Sequence, residues 1–300
     1  MWASRNKIET VQVALRLPRL NLLCLGNNKI PSFPSAFFTS LQSLMTLFPH
    51  NLPHALSHLN LDRNQIRALR NREMGQLRNV TSLSTSYNSA GATGNHLMVL
   101  SSRLSPKLER LDCSQNSIQE VTFQNLSGMK QLKHLFLENN TMWNFEANAL
   151  RNSVHLTNLA LEQNLLSSIP DGYLPESLIH LDLKGNCIEA IQEQELRSLK
   201  CLQVLNLRRN KLTSLPQITL DMLPWLRTIY LDGNPWNGSC ELLRVKRTLL
   251  ARRVEIPNEL WDSWRAYLMA LDRCEEYFKK TTPEDQVEQT DTEEYYDYDS

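Results

Sequence analysis

With 300 residues, 41% of them hydrophobic and 21% charged, the chain has the composition of an ordinary globular protein, which excludes a collagenous or wholly disordered one. Nine glycines are too few for phosphate-cradling loops spread along the chain. The 32 basic and 32 acidic residues cancel, yet residues 281–300 hold eight acidic side chains and no Lys or Arg, so a basic body precedes an acidic tail.

From the start, Met1 to Thr10 include Arg5, Lys7 and Glu9, and no apolar run follows at once, so no signal peptide is legible. Residues 1–19 contain no cysteine and no recognisable cap, and are read as an atypical N-terminal segment that leaves a naked core edge. The expectation is an N-terminally truncated or incomplete product. The alternative is a segment that folds over the edge. The longest uncharged stretch, Ile30 to Leu61, is broken by Pro31, Pro34, Pro49 and Pro53, with a polar middle. A membrane-spanning helix needs about 20 mostly apolar residues, so no span is expected.

Residues 20–236 repeat the pattern LxxLxLxxNxL nine times. One copy is Leu132, Leu135, Leu137, Asn140 and Met142; the nine asparagines are Asn28, Asn64, Asn88, Asn116, Asn140, Asn164, Asn186, Asn210 and Asn234. Their spacing is 22 to 28 residues, apart from 36 between the first two. Alternation at the second and third leucine positions is strand periodicity with those side chains inward. Beyond them the chain must turn, and the Asn side chain can satisfy backbone groups that stacking would otherwise bury unpaired. One unit cannot cover its own apolar face, whereas stacked units share a continuous core. The fold class predicted is therefore an α/β solenoid, a leucine-rich-repeat horseshoe with a parallel concave sheet and a helical C-terminal cap. Phe123, Leu126 and Met129 suggest a helical convex side in one repeat; Ile169-Pro170 and Leu215-Pro216 suggest extended convex segments in others.

Residues 237–280 read as the C-terminal cap. Leu242, Leu243, Val245, Leu249 and Leu250 recur at helical spacing, and a second amphipathic helix is expected from about Pro257, with Leu260, Trp264, Leu268, Leu271 and Phe278 near one face. Cys240 and Cys274 bracket these helices and are the expected disulfide; a Cys187 to Cys201 bridge stays open. Cys113 occupies an inward position and reads as a small core residue, and Cys24 falls at an outward strand position. Residues 281–300 are expected to be a disordered acidic tail.

The Asn-ladder motif, the Leu-Pro turns, Leu-Asp-Gly-Asn-Pro at residues 231–235 and the late cysteine pair resemble the small leucine-rich proteoglycans, over about residues 20–280. The resemblance implies an extracellular, secreted, non-enzymatic protein that binds matrix proteins such as collagen, or growth factors of the transforming-growth-factor-β class. The family's N-terminal cysteine cluster is not among these residues.

Candidate functional positions follow from the outward side of each strand: Asn60, Asp62, Arg63, Glu109, Arg110, Asp112, Lys133, His134, Phe136, Glu138, Glu162, His180, Asp182, Lys184, Asn206, Arg208, Arg209, Tyr230 and Asp232. From these, Arg110, Asp112, Lys133, His134, Phe136, Glu162, Asp182, Lys184, Arg208, Arg209 and Tyr230 are the candidate concave-face binding residues. Mixed charge with aromatics favours a protein interface over a phosphate-binding strip, so no nucleic-acid partner is expected. His134 and His180 lie two strands apart, about 10 Å, too far to share a zinc ion. No nucleophile elbow, zinc-peptidase helix or phosphate loop is present, so neither catalysis nor a cofactor is expected. Asn79, Asn125, Asn139 and Asn237 are glycosylation sequons; Asn139 would rim the sheet, and Asn125 should be convex and harmless. A basic patch of Arg244, Lys246, Arg247, Arg252 and Arg253 could attract sulfated glycans or the chain's own tail. Tyr295, Tyr296 and Tyr298 stand among acidic residues, a setting that suits sulfation. Other readings are an intracellular leucine-rich-repeat scaffold using the same sheet, and a truncated, non-functional product.

Overall fold

In the computed structural model the described residues are 1–11, 20–34, 37, 56–66, 69, 74, 77–86, 97–98, 100–170, 174–237, 239–257 and 274. A single parallel sheet of nine short strands organises them. Its strands are β1 (Leu22–Cys24), β2 (His58–Asn60), β3 (Ser82–Ser84), β4 (Arg110–Asp112), β6 (His134–Phe136), β8 (Asn158–Ala160), β9 (His180–Asp182), β10 (Val204–Asn206) and β11 (Thr228–Tyr230). They lie in chain order, so each repeat adds one strand beside the last. The middle residue of each strand is in register with the next, running Leu23, Leu59, Leu83, Leu111, Leu135, Leu159, Leu181, Leu205 and Ile229. All nine are buried and belong to one continuous core. The long interval between the first two repeats leaves this register unchanged.

The asparagine ladder explains why the stack holds its spacing. Asn140 donates from Nδ2 to the carbonyls of Leu137 (2.9 Å) and, one repeat back, Cys113 (3.1 Å), while its Oδ1 accepts from the Ile118 amide at 2.9 Å. The same pattern recurs at Asn64, Asn164, Asn186, Asn210 and Asn234. Each rung therefore ties three backbone groups of two neighbouring repeats, groups that the close-packed core keeps from water.

A regularity that leucine spacing does not show lies just before each ladder residue. Asn27, Arg63, Gln115, Asn139, Gln163, Gly185, Arg209 and Gly233 all have φ between 51° and 75°. The left-handed backbone at this position turns the chain off the strand and aims the following Asn into the core. An L-residue there costs roughly 1–2 kcal/mol, which Gly185 and Gly233 avoid.

Residues 1–8 follow the same frame and cover the edge of β1, as in the alternative of a segment that folds over it. Trp2 pairs in parallel with Cys24, the Ala3 amide donates to Cys24 O at 2.9 Å, and the Arg5 amide to Gly26 O at 3.0 Å. Arg5 is left-handed, with φ 59°. Asn6 Nδ2 donates to Ala3 O at 3.0 Å and Ser4 O at 3.1 Å, as a ladder Asn does within its own repeat. Asn28 in turn donates to Ala3 O at 2.9 Å and its Oδ1 accepts from the Ile8 amide at 3.2 Å. Met1–Ile8 is thus one more turn of the motif, from its second leucine position onward, and Ala3 and Ile8 pack on the core. Cys24, the bridge partner of Trp2, is buried although its position is outward.

The convex side is mixed. A second, two-stranded parallel sheet joins β5 (Glu120–Val121) to β7 (Asn144–Phe145). Short helices follow in α1 (Phe123–Leu126), α2 (Glu193–Leu196) and α3 (Gln217–Asp221). Pro216 stands at the N-cap of α3, so Leu215-Pro216 opens a helix instead of continuing an extended segment. Proline tolerates this place because the missing N–H has no helical partner there.

At the C-terminal end, α4 (Cys240–Ala251) is capped by Ser239, whose hydroxyl accepts from the Leu242 amide at 3.3 Å. Leu242, Leu243, Val245 and Leu249 are buried, but Leu250 is 57% exposed and belongs to the wet side. After α4, Glu255 bridges Thr228, and its carbonyl accepts from the Ile229 amide at 2.9 Å, which covers the outer edge of β11. Cys240 and Cys274 form a disulfide with Cα atoms 5.4 Å apart, whereas Cys24, Cys113, Cys187 and Cys201 are free thiols. The second cap helix expected from Pro257 and the acidic tail with its tyrosines lie outside the described residues, except for the buried Cys274.

Candidate protein-binding face

Because side chains alternate across a strand, the residues on either side of each inward leucine project to the other face of the sheet. Register then gathers them into columns. Arg110, His134, Asn158 and His180 are neighbours in one; Asp112, Phe136, Ala160, Asp182, Asn206 and Tyr230 form another. Glu138, Glu162, Lys184, Arg208 and Asp232 stand two residues beyond the strand ends, where the chain still borders this face.

Two arginine–aromatic pairs stand out. The Arg110 guanidinium carbon lies 4.2 Å from the centroid of the Phe136 ring, and His134 flanks the same ring at 6.4 Å with 18° between planes. Towards the other end, Arg208 lies 4.4 Å from the Tyr230 centroid and donates from Nε to Asp232 Oδ1. Each guanidinium is thereby held over a ring instead of ranging through solvent, which lowers the entropy lost when it meets a partner.

Between the pairs the face is acidic. Burial pushes the Glu138 carboxyl up to about 7, with the negative charges of Asp112 and Glu162 adding to it and Arg110 opposing. Its Oε2 is buried with no hydrogen-bond partner among the described residues. Burial also raises Glu162, helped by a hydrogen bond with the Asp182 carboxyl and opposed by Lys184. Asp182 itself accepts from Asn206 Nδ2 at 2.9 Å and from the Lys184 amide at 3.0 Å. Lys133, just before its strand, pairs with Glu109 at 2.9 Å.

The eleven residues singled out from the sequence thus fall into three settings. Arg110, Asp112, His134, Phe136, Asp182 and Tyr230 are outward strand residues; Glu162, Lys184, Arg208 and Arg209 follow the strands; Lys133 precedes one. Arg209 occupies the left-handed position, with φ 51°. Glu138 has the most perturbed carboxyl of the face, a consequence of packing that residue type and spacing do not display. Trp2 also belongs to the face, at the strand position beside Cys24, and is 79% exposed.

Chemically this surface can make ion pairs, amide hydrogen bonds and stacked contacts. Burial holds the Cys113 thiol up to about 12, far from a reactive thiolate. Among the described residues, no group of three or more His, Cys, Asp or Glu could hold a metal, and no helix is long and apolar enough to cross a membrane.

Two sequence expectations need correction. Asn125 is not free: its Oδ1 accepts from the Thr122 amide at 2.8 Å and its Nδ2 donates to Leu100 O at 2.7 Å, so a glycan on that nitrogen would disturb the start of α1. Arg252 leaves the basic patch, because its guanidinium donates to the carbonyls of Leu220 and Leu223 and secures α4 to the α3 region. Asn139 is exposed at a left-handed position, φ 54°, beside the ladder, and Asn237 is exposed and accepts from the Ser239 amide at 3.0 Å. Asn79 Oδ1 accepts from Lys107 Nζ at 2.7 Å.

A family model described as leucine rich repeat matches residues 106–166 and 154–212. Over 214 residues the chain is 46% identical to mouse (Mus musculus) Nephrocan, an alignment that covers 69% of this chain and 40% of that protein. It is 30% identical over 253 residues to human (Homo sapiens) Podocan-like protein 1, covering 73% of this chain and 49% of that one. With quail (Coturnix japonica) Lumican it shares 29% over 215 residues, covering 71% and 57%. The chain therefore spans between two fifths and three fifths of the length of these relatives. Among solved structures, a chain of the octameric complex of Latrophilin 3, Unc5D and FLRT2 (LRR) matches with a TM-score of 0.59 at 23% identity, covering 84% of this chain and 85% of that one. A leucine-rich-repeat protein of Leptospira interrogans matches with a TM-score of 0.55 at 24% identity, covering 84% and 70%. These last two likenesses concern the fold alone.

Proposed function

Since the chain belongs to the small leucine-rich proteoglycan family of leucine-rich-repeat proteins, whose fold carries a protein-interaction role, we propose that it is an extracellular binding module without chemistry of its own. Its concave sheet holds a matrix protein such as collagen, or a growth factor of the transforming-growth-factor-β class, and so adjusts signalling. The observation that carries this reading is the pair of arginine–aromatic contacts, Arg110 with Phe136 and Arg208 with Tyr230, set on one rigid sheet. Aromatic and arginine anchors are the residue types that dominate interface energies. The Cys240 to Cys274 disulfide supports an oxidising, extracellular setting.

Two accessory features extend the reading. Arg244, Lys246, Arg247 and Arg253 on and after α4 suit sulfated glycans, and the acidic tail, sulfated at Tyr295, Tyr296 and Tyr298, recruits basic protein surfaces. The test is binding of the full chain to immobilised fibrillar collagen and to a growth factor of that class in physiological salt. Phe136→Ala and Tyr230→Ala should weaken binding about tenfold or more, the scale of a lost interface anchor. Lys130→Ala, an exposed change away from the sheet, should leave it unchanged. No binding to either partner by the unmodified chain would refute the proposal.

A further inference from the structure

The carboxyl groups between the two arginine–aromatic pairs lack what the flanking charges have. Around them the cations are already matched: Arg110 lies 3.7 Å from Asp112, Lys133 lies 2.9 Å from Glu109, and Arg208 pairs with Asp232. Glu138, Glu162 and Asp182, on three successive repeats, form no ion pair among the described residues. Asp182 takes its donors from neutral groups, Asn206 Nδ2 and the main-chain amide of Lys184. Glu162 shares its hydrogen bond with the Asp182 carboxyl, and Glu138 Oε2 is buried without a donor. Burial first, and then the neighbouring negative charges, hold the Glu138 carboxyl above its ordinary range, and burial and Asp182 do the same at Glu162; Arg110 and Lys184 oppose these shifts without cancelling them. Like charges on adjacent strands weaken a sheet, so the fold gives no reason for this row.

Shape narrows what could complete it. In the outward column Ala160 stands between Phe136 and Asp182, so a short side chain sits where its neighbours are long, and the sheet is low there. The carboxyls are carried at intervals of about 4.8 Å from repeat to repeat, whereas a calcium ion gathers its oxygens within about 2.6 Å of one point. No group of three or more His, Cys, Asp or Glu among the described residues could hold a metal. A planar guanidinium fits instead. Its five N–H donors are spread over a fork that reaches two carboxylates at once, and its aliphatic stem packs on a methyl group and a ring. The low point over Ala160, bounded by Phe136, supplies those two surfaces.

We propose that the concave face seats an arginine side chain of its protein partner over Ala160, with the guanidinium held by Glu162 and Asp182 and the seat closed on the β6 side by Glu138. This rests on the reading of the concave sheet as the protein-binding surface, and it specifies the chemistry that the partner must present at the centre of that surface.

The test uses the full chain and blocked pentapeptides with a single central arginine, lysine or glutamine, titrated by amide chemical-shift NMR at low ionic strength, with calcium chloride as a further probe. The arginine peptide should bind with a Kd of about 1 mM, the affinity of one small contact, and should shift the amides around Ala160. The double change Glu162→Gln with Asp182→Asn keeps both shapes and should weaken it about tenfold, the scale of lost hydrogen bonds to a charged group. Glu176→Gln, an exposed acid off the strands, should leave it unchanged, and an unchanged urea midpoint confirms that each variant folds. Four results would overturn the proposal: no arginine-peptide binding at about ten times that concentration, lysine or glutamine peptides bound as tightly, binding undiminished in the double variant, or calcium binding at these residues in preference to the peptide. Collagen or growth-factor binding that persists while the arginine peptide fails would refute the seat alone. The peptide bound with neither protein held would refute those partners and leave the seat standing.

Discussion

Replacing a central ladder residue, Asn164→Ala, tests the account of the fold most directly. Asn164 is buried and joins two repeats through four contacts. Its Nδ2 donates to Leu137 O and Leu161 O at 3.0 Å each and to Glu162 O at 3.2 Å, and its Oδ1 accepts from the Met142 amide at 3.1 Å. The substitution does not strand all of these. Leu137 O keeps the Asn140 donor and Leu161 O keeps the Asn186 donor, because each ladder carbonyl is shared by two successive asparagines. The Met142 amide, in contrast, loses its acceptor inside the core. A stranded buried donor costs about 1–3 kcal/mol, and thinning the bonds at the three carbonyls adds about 1 kcal/mol more. The expected loss is therefore about 2–4 kcal/mol, read as a fall in the urea midpoint by far-ultraviolet circular dichroism with the slope unchanged. Hydrogen exchange at the Met142 amide should quicken in step. Asn158→Ala, at a half-exposed outward position, should move the midpoint by no more than about 0.5 kcal/mol. A loss that small at Asn164 would refute the claim that the ladder holds the repeats in register.

Glu138 should make stability fall as pH rises. Its folded carboxyl titrates at about 7 against an ordinary 4.5, so the folded state binds more protons between those values, and urea midpoints should drop across that window. Glu138→Gln should flatten the profile; an unchanged slope in the variant would rule out Glu138 as its source. At the left-handed position before the ladder, Gln163→Gly should raise stability by up to about 1 kcal/mol, and Gln163→Val should lower it, since a β-branched residue is least tolerant of positive φ. Thermal melts of the two variants check the order, and the reverse order would exclude the proposed strain.

The architecture was legible because its signal is repeated. One Leu-x-Leu alternation is ambiguous, but nine copies of the motif, six of them Leu-x-Leu and each followed by its Asn, admit a single packing solution, and the sheet order and register follow from it. Met1–Ile8 escaped notice because Met1 and Ala3 stand where leucine gives the signal, and the motif is met only from its second position. Hydrogen bonds identify it where composition does not. The left-handed position was hidden for a related reason: Asn, Arg, Gln and Gly all occupy it, and what they share is backbone geometry. Leu250 and Arg252 were misread because helical spacing is a property of one element. Which side of α4 meets α3, and which arginine reaches α3's carbonyls, depends on a neighbour. The outward positions could be named in advance for the opposite reason, since a strand fixes them locally. Their energetics, such as the stacking of Arg110 on Phe136 or the burial of Glu138, arise between strands that lie 24 or more residues apart in the chain.

Between consecutive ladder asparagines the chain takes anywhere from 22 to 36 residues, yet the strands they follow meet one another without a slip. The inner wall behaves as a ruler whose graduations ignore how much thread is wound behind them. An epitope or a fluorescent reporter spliced into the chain between Phe37 and Leu56 would accordingly leave the spacing of grips on the inside undisturbed, whereas one added residue between a strand and its asparagine would break that rung.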